Sequence, residues 1–261
     1  MVAHSTARSL RRFRSSRDSH SNDVCPACTF CESSFVKAAT FGARALRFYA
    51  SLAPPRVPRG IDVMNPYSVP RVRAYVRAFL GKYYSDNRER ILILGINPGR
   101  FGSGVTGVTF TDPVALADEC DIPNHLARRR ELSSIFIYAV INRLGGIQEF
   151  NNRFFLSAVS PLGFTRRGIN LNYYDDPKLE RAVTPFIVSS IEEHIGFGAR
   201  RDHVIVLGRG KNAKFLERLN DKHRWFGSIH ALDHPRFIMQ YRRRQLDAYI
   251  ESYKDTLSRP G

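Results

Sequence analysis

Along this chain the spacing of apolar positions changes several times. Phe41, Ala45, Leu46, Tyr49 and Leu52 recur at helix spacing until Pro54-Pro55, where a helix must stop. The stretch from Pro54 to Pro70 holds five prolines and reads as a linker over the surface. Val72, Tyr75, Val76, Phe79, Leu80 and Tyr83 then form one stripe of a helix, with Arg71, Arg73, Arg77 and Lys82 around it as a solvated face. Ile91 to Leu94 is different. Four apolar residues run straight into Gly95-Ile96-Asn97-Pro98-Gly99-Arg100-Phe101-Gly102. Such a run, bounded by turn formers, predicts a strand covered on both faces, with Asn97 where the chain turns.

Further on, residues 100–112 are rich in Gly and Thr and read as a loop. Ser133 to Leu144 is apolar nearly all round and predicts a buried helix. Phe154 to Val159 predicts a second strand, ending in Ser160-Pro161. Residues 163–176 read as a polar loop carrying Asn170, Asn172, Tyr173 and Tyr174. Residues 178–195 predict a helix that Pro185 kinks or divides. His203 to Leu207 predicts a third buried strand, followed by Gly208-Arg209-Gly210-Lys211-Asn212 and an amphipathic helix through Leu216 and Leu219. Ser228 to Leu232 predicts a short fourth strand that ends in Asp233-His234-Pro235-Arg236. Leu246, Tyr249, Ile250, Tyr253 and Leu257 mark the last helix.

Strands alternating with helices imply an α/β fold: a single domain with a central four-stranded parallel sheet flanked by helices. In such a sheet the carboxyl ends of the strands line one edge, where ligands bind. Asn97, Ser160, the Gly-rich turn and His234 all fall there.

Composition adds a partner. The chain has 261 residues, and its 43% hydrophobic and 25% charged residues suit one large globular core. No apolar run approaches the ~18 residues that span a membrane, so no membrane partner is expected. The formal net charge is +16. Residues 1–34 hold five Arg and three acids, which leaves 35 bases against 21 acids in the rest. The surplus therefore belongs to the folded body, and it points to a polyanion, foremost nucleic acid.

Residues 1–34 show Ser and Arg interleaved without apolar periodicity and are expected to be a disordered extension, with the folded domain at 35–261. An organelle transit segment, a DNA-touching arm and an over-extended start all fit that composition. Cys25, Cys28 and Cys31 sit at metal-ligand spacing, but a fourth ligand would have to be the distant Cys120 or a His, so no metal is expected. The low Cys count elsewhere fits a reducing compartment.

Two further stretches carry candidate chemistry. Gly208 to Lys211 lacks the full nucleotide-loop spacing. Backbone N–H groups at the following helix start, with Lys211, suit a DNA phosphate instead, or the segment is a plain strand-to-helix turn. After His234, the apolar Phe237, Ile238 and Met239 lie between Arg236 and Arg242-Arg243-Arg244. An apolar tip flanked by bases suits a wedge entering a base stack while arginines grip the backbone; packing of a helix start is the other reading.

Gly95 to Gly102, followed by Thr106-Gly107-Val108-Thr109-Phe110, resembles the first motif of the single-strand-selective monofunctional uracil-DNA glycosylases, and His234-Pro235 resembles their second. The resemblance covers roughly residues 41–257. It implies a uracil-DNA glycosylase-like fold and a monofunctional enzyme of base excision repair that needs no cofactor. It implies that Asn97 positions the hydrolytic water, that Phe110 stacks on a flipped base, and that His234 donates to the uracil oxygen. Gly95, Pro98, Gly99 and Phe101 would line the base pocket. DNA, single- or double-stranded, is then the partner, gripped by Lys211, Arg236, Phe237, Arg242 and Arg243, and the enzyme is expected to act as a monomer. The compartment would be the cytoplasm or nucleoid of a bacterium, or the nucleus or an organelle of a eukaryote.

The chain departs from that family twice. Where the second strand usually ends in an Asn that reads the Watson–Crick edge of uracil, Phe155-Leu156-Ser157-Ala158-Val159-Ser160-Pro161-Leu162 puts Ala158. Ser157, Asn172 or a backbone group is the expected substitute. Arg236-Phe237 also replaces the usual small-residue loop. Both point to a divergent subfamily acting on uracil or a related deaminated base. Two rivals share the pattern: a non-catalytic nucleic-acid-binding module on the same fold, and a small-molecule α/β enzyme using the same crevice.

Overall fold

A computed structural model describes residues 39–258. The extension at residues 1–34 and its cysteines lie outside the described residues. Two sheets organise the domain. The larger is built from β2 (Ile91–Gly95), β3 (Phe154–Ala158), β6 (His203–Leu207) and β7 (Ser228–Leu232). Its order is β3-β2-β6-β7 and every pairing is parallel, with Ile91 opposite Phe154, Gly95 opposite Ala158, Ile93 opposite Ile205, and Leu207 opposite Leu232. β2 is buried along its whole length, as its unbroken apolar run requires.

Helices cover this sheet: α1 (Phe41–Ser51), α2 (Pro70–Tyr83), α5 (Leu132–Arg143), α6 (Ile147–Arg153), α7 (Pro177–Gly196), α8 (Lys211–His223) and α10 (Leu246–Ser258). Their starts follow local rules. Thr40 caps α1 by accepting from the Ala43 N–H, and Asp176 caps α7 by accepting from the Lys178 and Leu179 N–H groups. α7 continues through Pro185 for 20 residues, so the proline does not divide it.

The smaller sheet is antiparallel, with order β1-β4-β5: β1 (Asp62–Met64), β4 (Gly163–Arg166) and β5 (Ile169–Leu171). This corrects two expectations. Part of the proline-rich linker is a strand, and part of the polar loop at 163–176 is a hairpin. The Gly/Thr loop after β2 also contains the short α3 (Ser103–Thr106), and α4 (Pro113–Asp118) follows it. The start of the predicted last helical region is separate: α9 (Pro235–Tyr241) ends before α10 begins. Cys120 is enclosed by the core, with its Sγ 3.0 Å from the Tyr138 hydroxyl. Among the described residues, no helix is long and apolar enough to cross a membrane.

Candidate active site

A cleft of about 540 Å³ opens at the carboxyl ends of the strands. Gly95, Asn97, Pro98, Gly99, Phe101 and Phe110 line it from β2 and the loop beyond. Ala158 comes from the end of β3, Asn172 from the segment after β5, and His234, Arg236 and Phe237 from the β7–α9 junction. Residues as far apart in sequence as Gly95 and Phe237 thus share one cleft, because parallel strands deliver their ends to one edge.

The floor is set by Gly95. A Cβ there would come within 2.8 Å of the Phe110 ring, so only glycine lets that ring lie against the end of β2. Phe110 is itself in the left-handed region, at φ 54°. Its ring centroid lies 5.8 Å from that of His234. The Phe110 loop is held by buried polar groups. Thr106 Oγ1 donates to the Thr111 carbonyl at 2.7 Å, and Asp112 accepts from the Val114, Ala115 and Glu131 N–H groups.

Asn97 is fixed by the hairpin. Its Oδ1 accepts from the Tyr173 N–H at 3.1 Å, and its Nδ2 donates to the Leu171 carbonyl at 3.3 Å. This pattern assigns the amide orientation and leaves one Oδ1 lone pair for another donor. The segment is anchored in turn: the Tyr173 hydroxyl donates to Asn212 Oδ1 at 2.7 Å, and Asn212 Nδ2 donates to the Gly95 and Leu207 carbonyls. Asn212 is buried, and it ties the ends of β2 and β6 to the segment that holds Asn97.

His234 starts α9. Its Nδ1 accepts from the Arg236 N–H at 3.2 Å, so in the neutral ring Nε2 carries the proton and is the donor. Burial, reinforced by the Arg236 charge, pushes its pKa down from the ordinary 6.5 to about 4. The ring is therefore neutral near pH 7. Glu131 is a carboxylate on the cleft wall, resting against the backbone of Gly99 and Gly102. Burial raises its pKa, and the positive Arg236 opposes that rise.

Several expected residues fall elsewhere. Ser157 does not face the cleft. Its Oγ lies 2.6 Å from His194 Nε2 and 3.3 Å from the Tyr49 hydroxyl, on the buried side of β3. His194 Nδ1 donates to the Ser190 carbonyl, so Nε2 accepts from the Ser157 hydroxyl. Successive side chains of a strand point to opposite faces, so with Ala158 in the cleft Ser157 must point away. Lys211 is exposed at the start of α8, 6.0 Å from the centre of the Tyr174 ring, and does not line the cleft. Arg242 and Arg243 lie beyond the end of α9, also outside it, with Arg242 over the Phe237 ring. The expected apolar tip is reduced: Ile238 and Met239 are buried, and only Phe237 of the three is exposed. Ile169, Asn170, Gln240 and Tyr241 line the cleft without having been singled out as site residues. Tyr241 follows Phe237 by four positions and so shares its helix face, which spacing alone reveals.

A four-stranded parallel sheet with this cleft at its carboxyl edge defines an α/β enzyme-like domain. Residues 82–258 match the family model described as the uracil DNA glycosylase superfamily, and the chain belongs to that superfamily. The crystal structure of wild-type Pedobacter heparinus SMUG2 is similar at 44% sequence identity and a TM-score of 0.81, over 83% of this chain and 96% of that one. No curated protein matches the chain.

Proposed function

We propose that the protein is a monofunctional DNA glycosylase that hydrolyses the N-glycosidic bond of uracil, or of a related deaminated base, in DNA as the first step of base excision repair. The observation that carries this reading is the meeting of Asn97, Phe110 and a neutral His234 in one cleft.

The target nucleotide leaves the base stack and enters the cleft, where its base lies against the Phe110 ring. Departure of the base builds positive charge on the sugar, so the attacking water needs placement more than a strong base. The free lone pair of Asn97 Oδ1 accepts from that water and orients it. Negative charge gathers on the departing base, and the Nε2–H of His234 donates to its oxygen. Arg236 and the basic surface hold the phosphates on either side. No cofactor takes part in these steps.

Release of free base from oligonucleotides carrying uracil, xanthine or hypoxanthine, in single and double strands, tests the reading. Asn97→Ala is expected to cut release by ~10²-fold or more while DNA binding survives. A wild-type protein that binds DNA and releases no base would instead be a binding module. One with negligible DNA affinity would be a small-molecule enzyme.

A further inference from the structure

The apolar side chains that the fold leaves uncovered are gathered in one place. Among the described residues the exposed large hydrophobics are Val69, Phe101, Ile169, Phe237 and Tyr241, and all except Val69 border the cleft. They come from three separate elements. Phe101 belongs to the loop after β2, Phe237 and Tyr241 to α9, and Ile169 to the β4–β5 hairpin. The hairpin follows β3 and α9 follows β7, so the two leave opposite ends of the sheet.

The hairpin is built to hold its tip still. Its two-residue turn, Arg167-Gly168, has φ of 51° and 72°, the twist that closes a tight hairpin. Arg166 pairs with Ile169 across it. The tip is also fastened to the Asn97 loop. The Arg100 guanidinium donates to the Gly168 carbonyl, the Arg100 N–H donates to Asn170 Oδ1 at 3.3 Å, and Asn97 Nδ2 reaches the Leu171 carbonyl. Between these anchored neighbours Ile169 stands 67% exposed. Exposed Arg166 and Arg167 flank it, and Arg100 lies beside it.

An apolar residue held rigidly among arginines, at the mouth of a cleft of nucleotide size, suits the stacked bases of a polyanion. We propose that the β4–β5 hairpin is a second DNA wedge, in which Ile169 enters the duplex stack beside the extruded nucleotide while Phe237 and Tyr241 engage DNA from the other lip. The inference rests on the DNA reading of the cleft. It adds a contact that the sequence did not suggest, since residues 163–176 read there as a polar loop.

The test compares wild type with Ile169→Ala, and with Val69→Ala as the exposed residue away from the cleft. The first probe is a duplex carrying an abasic-site analogue with 2-aminopurine as its neighbour. Wild type and Val69→Ala are expected to raise the fluorescence on binding, and Ile169→Ala to lose at least half of that rise. The second is kcat/KM for uracil release, where Ile169→Ala is expected to lower the duplex-to-single-strand ratio at least tenfold. A fluorescence rise equal to wild type, or an equal loss on both substrates, overturns the wedge. Failure of the glycosylase reading looks different: wild type releases no base from any substrate, while an Ile169-dependent fluorescence rise on the abasic duplex would still support the hairpin.

Discussion

Replacing His234 separates a catalytic donor from a helix cap. The ring has two tasks on its two nitrogens. Nδ1 accepts from the Arg236 N–H and caps α9, which leaves Nε2–H to donate to the departing base in the proposed mechanism. Loss of one donor to a developing anion costs ~10²–10³ in rate, or ~3 kcal/mol of barrier. Loss of a capping acceptor costs ~1 kcal/mol of stability. His234→Ala should therefore slow single-turnover release of uracil by ~10²–10³ while the domain stays folded. The same ring sets the pH profile. With its pKa lowered to about 4, it is already neutral at pH 6. An ordinary imidazole would be about three-quarters charged at that pH. The wild-type rate should thus show no titration of His234 between pH 5 and 8. Single-turnover rates across that range, with thermal unfolding of each variant alongside, provide the measurement. An acid limb centred near pH 6.5 that vanishes in His234→Ala, or a variant within threefold of wild type, would falsify the neutral-donor mechanism.

Gly95→Ala puts a methyl group 2.8 Å from the Phe110 ring, so the ring must move into the base slot; KM for uracil DNA should rise at least tenfold, with the fold intact by circular dichroism. Tyr173→Phe removes the 2.7 Å bond to Asn212 and leaves that buried acceptor unpaired. Stability should fall by ~1–3 kcal/mol, and kcat should fall several-fold with KM little changed, because Asn97 hangs from the Tyr173 backbone. His194 is buried and neutral, with its pKa lowered from 6.5 to about 4. The unfolded chain therefore binds the extra proton between those values. Its contribution is complete above about pH 6.5 and is lost toward pH 4, by ~3 kcal/mol in full and ~2 kcal/mol at pH 5. Urea unfolding at pH 7 and pH 5 measures it, and His194→Phe should remove ~2 kcal/mol of the difference and leave the share of His234, whose pKa is lowered in the same way.

What the sequence revealed depended on how much of each element was apolar. β2, β3 and β6 are buried strands with few polar positions, and apolar runs bounded by turn formers announce such strands. β1, β4 and β5 are three or four residues long, and they include Asp62, Thr165, Arg166 and Asn170. Their pairing is decided by the tight Arg167-Gly168 turn and by bonds to the Asn97 loop, and neither leaves a periodic trace. α7 ran through Pro185 because burial of Leu179, Val183, Ile187 and Ile191 along one face outweighs one missing hydrogen bond.

The candidate site divides along the same line. Residues on strand ends were placed by topology alone: Asn97 follows β2 and His234 follows β7, so a parallel sheet brings them to one edge whatever the helices do. Residues chosen for chemistry without a direction did less well. Ser157 has the right hydroxyl one position too early, and the strand turns it toward His194. Lys211, Arg242 and Arg243 were expected on the DNA backbone rather than in the base pocket, and they lie outside the cleft lining. The consequence bears on base choice. With Ala158 on the wall and Ser157 turned away, no side chain from the end of β3 offers a hydrogen bond to the base. Reading of its donor edge must then fall to groups from other elements that do line the cleft, such as Asn172, Asn170 and the Glu131 carboxylate. On the glycosylase reading, selectivity among deaminated bases rests on the hairpin, the segment after it and the start of α5, and substitutions at Asn170, Asn172 or Glu131 should redistribute activity among uracil, xanthine and hypoxanthine more than changes at Ser157.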